Sequence, residues 1–338
     1  MNKRKLGKTN LYINPIGFGG IPIQKVSLKE AKELVCEAVN KGINFFDSAR
    51  SYTCSEEYLG ESLKNLRDKV YIATKSMSRT YEKMKEDISL SLKMLKTDYI
   101  DLYQFHNVSK MEDLELIMSE KGAYKALEEA KKDNKIGHIG ITSHSYDLLS
   151  YLLSSKYKDK FETIQFPYNF IEHNTKELFK KAKELNIGTI AMKPLGGGYI
   201  DNAKIALKYL LNDENLSVAI PGMGQIKELY DNISILDDYK LSNEDLLYIE
   251  KIQREAKQVF CHRCGYCKPC TKGIDIPGIF TLENYYDRYG LKDWASTRYN
   301  NLEVKASACI DCKKCITKCP YNINIPERLK RIANKFEV

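Results

Sequence analysis

Eight short apolar runs recur between about residues 13 and 235: INPIGFGG, INFFDSA, VYIATK, IDLYQFH, KIGHIGIT, TIQFPYN, IGTIAMKP and SVAIPG. Segments of helical period separate them, and eight is the strand number that closes a parallel barrel. The helices between them have readable ends. Ser27 and Glu30 form a capping box, Leu28, Ala31, Leu34, Val35, Ala38 and Val39 follow at helical spacing, and Gly42 stops the run. Asn174 with Glu177 opens a second such helix. A doubly wound sheet is the competing arrangement. It wants a glycine-rich phosphate loop after the first strand, whereas GFGG runs into Ile21-Pro22, which opens no dinucleotide-type helix. The expectation is an α/β fold, a (β/α)8 TIM barrel, led by a hairpin of RKL and LYI about GKTN.

The alternation ends after Asn232. LSNEDLLYIEKIQREAKQ predicts one more helix, capped by Ser242, and the cysteines follow it. The expected domains are therefore a barrel over residues 1–240 and a small, mainly helical domain over 241–338.

Polar residues gather at the strand ends. Asp47, Lys75, His106, Thr142, Ser143, Gln165, Asn169 and Lys193 stand at or just beyond them. In a (β/α)8 barrel those ends share one rim, and chemistry is housed there. One such residue alone is more often structural; their recurrence on successive strands favours function.

Thiols are concentrated near the end of the chain. CHRCGYCKPC supplies Cys261, Cys264, Cys267 and Cys270, and a second run supplies Cys309, Cys312, Cys315 and Cys319, followed by Pro320. The second run has the bacterial ferredoxin spacing C-x2-C-x2-C-x3-C-P. That spacing suits an iron–sulfur cubane better than zinc, whose structural sites usually join two separated ligand pairs. The runs also repeat beyond the cysteines: CTKGIDIP and CPYNINIP share Cys, Ile, Ile and Pro at identical offsets. Cys36, in a helix, reads as packing, and Cys54, two residues from Tyr52, as incidental.

The N-terminal stretch MNKRKLGKTNLYINPIGFGG has no apolar run long enough for a signal peptide, and no run elsewhere approaches a membrane span. The expectation is a cytoplasmic protein, where ten cysteines argue for metal or catalysis rather than disulfides. A formal charge of +8 does not point to nucleic acid, because the lysines alternate with glutamates on helix faces such as KELFKKAKEL.

FFDSARSY, YIATK and YQFHNV, in this order, resemble the aldo-keto reductases, and the resemblance covers about residues 3–235. It implies a catalytic tetrad of Asp47, Tyr52, Lys75 and His106. A free tyrosine has a pKa of about 10, and a neighbouring ammonium lowers it. Lys75 would do this, Asp47 would hold Lys75, His106 would orient the substrate carbonyl, and Tyr52 would supply the proton. The resemblance also implies NADP(H) or NAD(H), with Ser143, Gln165 and Asn169 about the carboxamide. Met192, where many members stack an aromatic ring, would either pack on the nicotinamide or serve as an ordinary barrel side chain. Lys193, Pro194 and Leu195 complete that side. Gly222 and Glu228 stand where NADPH-dependent members place cations; only Lys227 is basic there, while Asn232 matches the adenine-side asparagine. A carboxylate beside the ribose suits two hydroxyls better than a phosphate, and both cofactors stay open.

The tail is similar to the helical two-cluster ferredoxin domain carried by a branch of that family in anaerobes. In two-cluster ferredoxins the fourth cysteine ligates the other cluster. By that rule Cys261, Cys264, Cys267 and Cys319 would hold one [4Fe–4S] cluster, and Cys309, Cys312, Cys315 and Cys270 the other. Cys270 departs from the pattern through a gap one residue short and Thr271 in place of proline. Trp294, in the insert between the runs, reads as core. The expected function is reduction of a carbonyl or quinone-like small molecule, with a ferredoxin or another one-electron carrier as partner and no nucleic acid. The alternatives are a carbonyl reductase with purely structural clusters and a redox-sensing regulator with little turnover.

Overall fold

A computed structural model of the chain describes residues 3–172, 175–257 and 259–337. Strands β1 (Arg4–Lys5) and β2 (Tyr12–Ile13) pair antiparallel about a short 3-10 turn, Gly7–Thr9. Eight parallel strands follow: β3 (Phe18–Gly19), β4 (Phe45–Asp47), β5 (Tyr71–Ser76), β6 (Ile100–Phe105), β7 (Ile136–Thr142), β8 (Thr163–Pro167), β9 (Gly188–Met192) and β10 (Val218–Ala219). Each pairs with its neighbour in chain order. Parallel bridges Ile16 to Ala219 and Gly19 to Gly222 join the two edges, with Gly17 N–H donating to the Ala219 carbonyl at 2.8 Å. This is the barrel that eight alternating runs predict.

Helices α1 (Leu28–Asn40), α2 (Ser55–Leu63), α3 (Tyr81–Leu95), α4 (Met111–Met118), α5 (Ala123–Lys132), α6 (Tyr146–Ser154), α7 (Thr175–Glu184), α8 (Ala203–Leu211) and α9 (Ile226–Ile233) fill the connections. The Ser27–Glu30 capping box is formed at the start of α1. Asn174, the expected cap of α7, lies outside the described residues.

Strand periodicity divides the barrel interior into layers. Successive strand residues point to opposite faces, so inward residues recur every second position. Phe45, Ala73, Leu102, Ile190 and Val218 form an apolar floor with Leu6 and Ile13 of the hairpin, and Met192 packs against it. Two residues further along the same strands come Asp47, Lys75, Gln104 and Met192. The polar rim is thus the next layer above a dry floor.

The chain divides into two compact units. One runs to Pro194 and resumes over Asn202–Leu241; the other comprises Leu195–Asp201 and the chain from Ser242 onward. The second unit contains α10 (Asn243–Ala256), α11 (Ile276–Asp287), α12 (Lys292–Asn300), α13 (Lys314–Lys318) and α14 (Ile325–Phe336). Ser242 accepts from the Asp245 N–H at 3.1 Å and caps α10 as its sequence predicts. The core of this unit joins Ile274, Ile276, Ile279 and Phe280 to Tyr299, Ile323, Ile325, Leu329 and Ile332, and Trp294 packs against it.

Candidate active site and cluster loops

Asp47 ends β4 and Lys75 lies in β5, both buried. Lys75 Nζ donates to Asp47 Oδ2 at 2.5 Å and to the Ser48 carbonyl at 2.6 Å. Burial pushes the Lys75 ammonium down and the Asp47 carboxyl up, and the charge of each partner opposes both shifts. Lys75 Nζ also stands 5.0 Å from the centroid of the Tyr52 ring. Gln104, buried in β6, donates to Gln165 Oε1 at 2.9 Å and reaches Asp47 Oδ1 at 3.5 Å.

His106 follows β6, and its ring meets Tyr52 edge to face with centroids 5.8 Å apart. The residue is half-buried, and burial of the imidazole, reinforced by the charges on Lys75 and Arg79, holds its pKa well below 6.5. The imidazole is therefore neutral near pH 7. Ser51 Oγ lies 3.4 Å from Nδ1. If that hydroxyl donates, the ring hydrogen sits on Nε2 and is available to a ligand.

Tyr52 sits in the loop from β4 to α2, which is tied down on both sides. Ser48 N–H and Arg50 N–H donate to the Ala73 and Lys75 carbonyls at 2.8 and 2.9 Å. Ser55 Oγ donates to the Gly20 carbonyl at 2.9 Å, and a Cβ on Gly20 would lie 2.8 Å from both Ser55 Oγ and the Asp47 carbonyl oxygen, so glycine is required there. Beneath the loop, buried Glu56 pairs with Arg50 and accepts from Thr74 Oγ1 at 2.6 Å and Ser91 Oγ at 2.9 Å.

Other rim residues are committed to local structure. Thr142 Oγ1 accepts from Asn107 N–H at 2.8 Å, and Ser143 Oγ from Ser145 N–H at 2.9 Å. Asn169 Nδ2 donates to the Lys193 carbonyl at 3.1 Å, while its Oδ1 accepts from the Ile171 and Glu172 N–H groups. Met192 closes β9, Lys193 has a left-handed backbone (φ 54°), and Pro194 ends that stretch of the barrel unit. Leu195 begins the segment that belongs to the second unit.

Gly222 follows β10, and Asn232 is buried in α9. Glu228 Oε2 accepts from Gly224 N–H at 2.6 Å and Gln225 N–H at 3.0 Å. These are orphan donors at a helix start, where an anion is favoured; the chain supplies that anion itself. Lys25, which the sequence reading missed, feels this carboxylate: partial burial lowers its pKa, and the Glu228 charge raises it.

In the second unit the two cysteine runs share a pattern of left-handed residues, although only the second contains a helix, α13. Two residues after the first cysteine, Arg263 and Asp311 have φ of 59° and 50°; two further on, Gly265 and Lys313 have 82° and 57°. Three residues after the fourth cysteine, Gly273 and Asn322 have 74° and 51°. Gly273 N–H donates to the Cys270 carbonyl at 2.9 Å and Asn322 N–H to the Cys319 carbonyl at 3.1 Å. Both loops then enter helices whose first residues are Ile276-Pro277 and Ile325-Pro326. The duplication legible in the sequence is present in the structure.

Cys270, Cys309, Cys312 and Cys315, with Cys267, line a pocket of about 390 Å³, part of it open to solvent. Cys319 and Cys261 pack against the core of the same unit, and Cys264 is exposed. Among the described residues no three His, Cys, Asp or Glu gather closely enough to hold a single metal ion. Several thiols lining one pocket fit a multi-atom cluster, in which separate thiolates would hold separate irons. Cys36 Sγ lies 3.7 Å from the Ser62 carbonyl, joining α1 to α2, and Cys54 stands at the start of α2, its Sγ accepting from Thr53 Oγ1 at 3.8 Å rather than from the helix.

A parallel barrel that keeps a buried ion pair at one rim, against a phenol and a neutral imidazole, has the build of a (β/α)8 oxidoreductase. Residues 15–204 match the aldo/keto reductase family, and the chain belongs to that family. Residues 260–325 match a 4Fe-4S dicluster domain. L-Galactose dehydrogenase of Arabidopsis thaliana is 26% identical over 307 residues, covering 76% of this chain and 95% of the relative. An uncharacterized oxidoreductase of Bacillus subtilis is 26% identical over 311 residues, covering 76% and 97%. The holo form of an aldo-keto reductase from Bacillus halodurans superposes with a TM-score of 0.64 at 23% identity, covering 75% of this chain and 96% of that one. The protein is thus an aldo-keto reductase oxidoreductase with a dicluster domain, of a family that typically uses NAD(P)H on small carbonyls. No helix among the described residues is long and apolar enough to cross a membrane.

Proposed function

We propose that the barrel reduces a small carbonyl or quinone-like substrate with Tyr52 as proton donor, and that the tail holds two [4Fe–4S] clusters exchanging single electrons with a carrier. The observation that carries the first part is Lys75, buried between Asp47 and the face of Tyr52. A bound nicotinamide would supply hydride. Lys75 favours the phenolate, so Tyr52 Oη releases its proton more readily to the substrate oxygen. Asp47 holds Lys75 at that position. His106, neutral, donates from Nε2 to the same oxygen and orients it.

For the cofactor we propose a site of Ser143, Gln165, Asn169, Met192, Lys193, Pro194, Leu195, Gly222, Glu228 and Asn232, with NADH bound at least as well as NADPH. The Glu228 carboxylate at the α9 N-terminus supports this, since by the family resemblance a 2′-phosphate would want a cation at that position. For the thiols, the matched backbone after Cys270 and Cys319 supports treating them as equivalent ligands, each completing the other run's cluster. Such ligands need a reducing compartment, which supports a cytoplasmic location. The domain limits we favour are 1–240 and 241–338.

The test is anaerobic purification followed by a screen of carbonyls and quinones for substrate-dependent NAD(P)H oxidation. Turnover that survives loss of Tyr52 would remove the tetrad from this reading. Cofactor binding without turnover of any substrate would favour the regulatory alternative.

A further inference from the structure

We propose that the face carrying the second cysteine run docks an acidic one-electron carrier protein, with Lys272, Lys313 and Lys314 as its cationic rim. This rests on the reading of the thiols as cluster ligands given above. All three lysines are exposed and line the pocket with Cys270, Cys309, Cys312 and Cys315, and no carboxylate shares that lining. Among the described residues none of the three is in an ion pair. Asp311 is the one acidic residue within the run, and Lys318 adds a further exposed cation.

The first run is different. Its Lys268 is paired with Asp275 at 2.9 Å, and its Arg263 is half-buried, donating to the Cys261 carbonyl at 3.2 Å. The two loops share their left-handed positions but not the whole backbone: the first has a cis Lys268-Pro269 bond, and the second the helix α13. At the shared left-handed positions the first run has Arg263 and Gly265, and the second has Asp311 and Lys313. Lys313 puts a cation into the pocket lining at the position where the first run has glycine.

Ile310, 56% exposed, adds an apolar contact beside the cations. A small apolar centre with a charged rim suits the weak, transient encounters of electron transfer, which bury under about 1,200 Å². Opposite charge across such a face raises association rates by about 10- to 1,000-fold. The step would be simple: one electron would leave the carrier's reduced centre and enter the oxidised cluster that Cys270, Cys309, Cys312 and Cys315 would hold. No proton moves and no bond is formed or broken.

The experiment uses the full chain, cluster-loaded and oxygen-free, mixed with a reduced acidic bacterial ferredoxin in stopped flow. Lys313→Gly removes the charge and relieves the backbone, so folding is not at risk. At low salt it should slow cluster reduction about threefold, and the Lys272→Glu/Lys314→Glu pair at least about tenfold. Both effects should fade above about 0.5 M salt. Carbodiimide cross-linking should join Lys313 or Lys314 to carrier carboxylates. Iron content and reduction by titanium(III) citrate should match the unmodified chain, and Lys132→Glu on α5 should change neither rate nor cross-link. Unchanged rates and cross-links, or an equal loss in the Lys132 control, would overturn the docking face and leave the cluster reading standing. A single-stranded oligonucleotide bound through these lysines more tightly than the ferredoxin would overturn it in favour of nucleic acid. Clusters that titanium citrate cannot reduce would overturn the docking face and leave the clusters structural, whereas protein without iron would overturn the cluster reading itself.

Discussion

Lys75 is a buried cation whose neighbours, the Asp47 carboxylate, the Ser48 carbonyl and the Tyr52 ring face, all favour its charged form, while burial opposes it. On the proposed mechanism the phenol beside it is the group that moves a proton. Tyr52→Phe should therefore leave nicotinamide binding almost intact and lower turnover by about two to four orders of magnitude. Fluorescence titration of the cofactor and initial rates on one preparation check both halves. Asp47, Lys75 and His106 were legible because each interrupts or ends an apolar run. Gln104 was not: it sits inside IDLYQFH, and only its two-residue spacing from Leu102 and His106 marks it as inward-facing. Glu56 was hidden for another reason. A glutamate in the first turn of a helix reads as a solvated end, whereas here Thr74, Ser91 and Arg50 surround it.

Among the elements, α9 carries the sharpest consequence. Glu228 closes its N-terminus with two backbone hydrogen bonds, and a helix start offers about 0.3–1 kcal/mol to an anion at an exposed site. Glu228→Gln keeps an acceptor and drops the charge, so it should shift the NADPH-to-NADH affinity ratio toward NADPH by about threefold to tenfold. Titrating both cofactors into both proteins measures it, and equal ratios would mean that Glu228 does not set the choice. The opposite end of the barrel makes a pH prediction. Burial pushes Glu162 up, but hydrogen bonds from His138 and Lys131 outweigh it and hold its pKa at about 2. Since its ordinary value is 4.5, the stabilisation is complete above about pH 4.5 and is lost as pH falls toward 2. Glu162→Gln should flatten part of the acid-denaturation curve in that window, by at most about 3 kcal/mol. Urea midpoints across pH would show it. Strands and caps were readable at this scale because period and capping are local. The assignment of Leu195–Asp201 to the second unit was not, since nothing in LGGGYID states what it packs on. There Arg288 donates to the Gly198 carbonyl at 3.1 Å and lies over the Tyr199 ring, which meets Phe260.

For the whole molecule, the cysteine arrangement makes the strongest claim. The spacing alone left Cys270 the weakest ligand, through its short gap and Thr271. The backbone removes much of that difference, because the hydrogen bond and the left-handed residue that follow Cys319 recur after Cys270. Cys270 also lines the pocket of the second run, whereas Cys319 does not. Such an exchange of fourth ligands makes each cluster depend on both halves of the duplication. Anaerobic protein should then be brown and contain about eight irons and about eight inorganic sulfides per chain. Cys264→Ser and Cys312→Ser should each remove about four irons. The exchange itself predicts more: Cys270→Ser should perturb the same cluster as Cys312→Ser, and Cys319→Ser the same one as Cys264→Ser. Paramagnetic resonance of the reduced proteins separates the two signals. Matching pairs in the opposite sense would mean that each run closes its own cluster, and stoichiometric zinc without iron would remove the clusters altogether. Whether the clusters carry electrons is a further step. If they do, substrate should reoxidise clusters that a ferredoxin has reduced, in the presence of nicotinamide and dependent on Tyr52; clusters that keep one redox state throughout turnover would be structural.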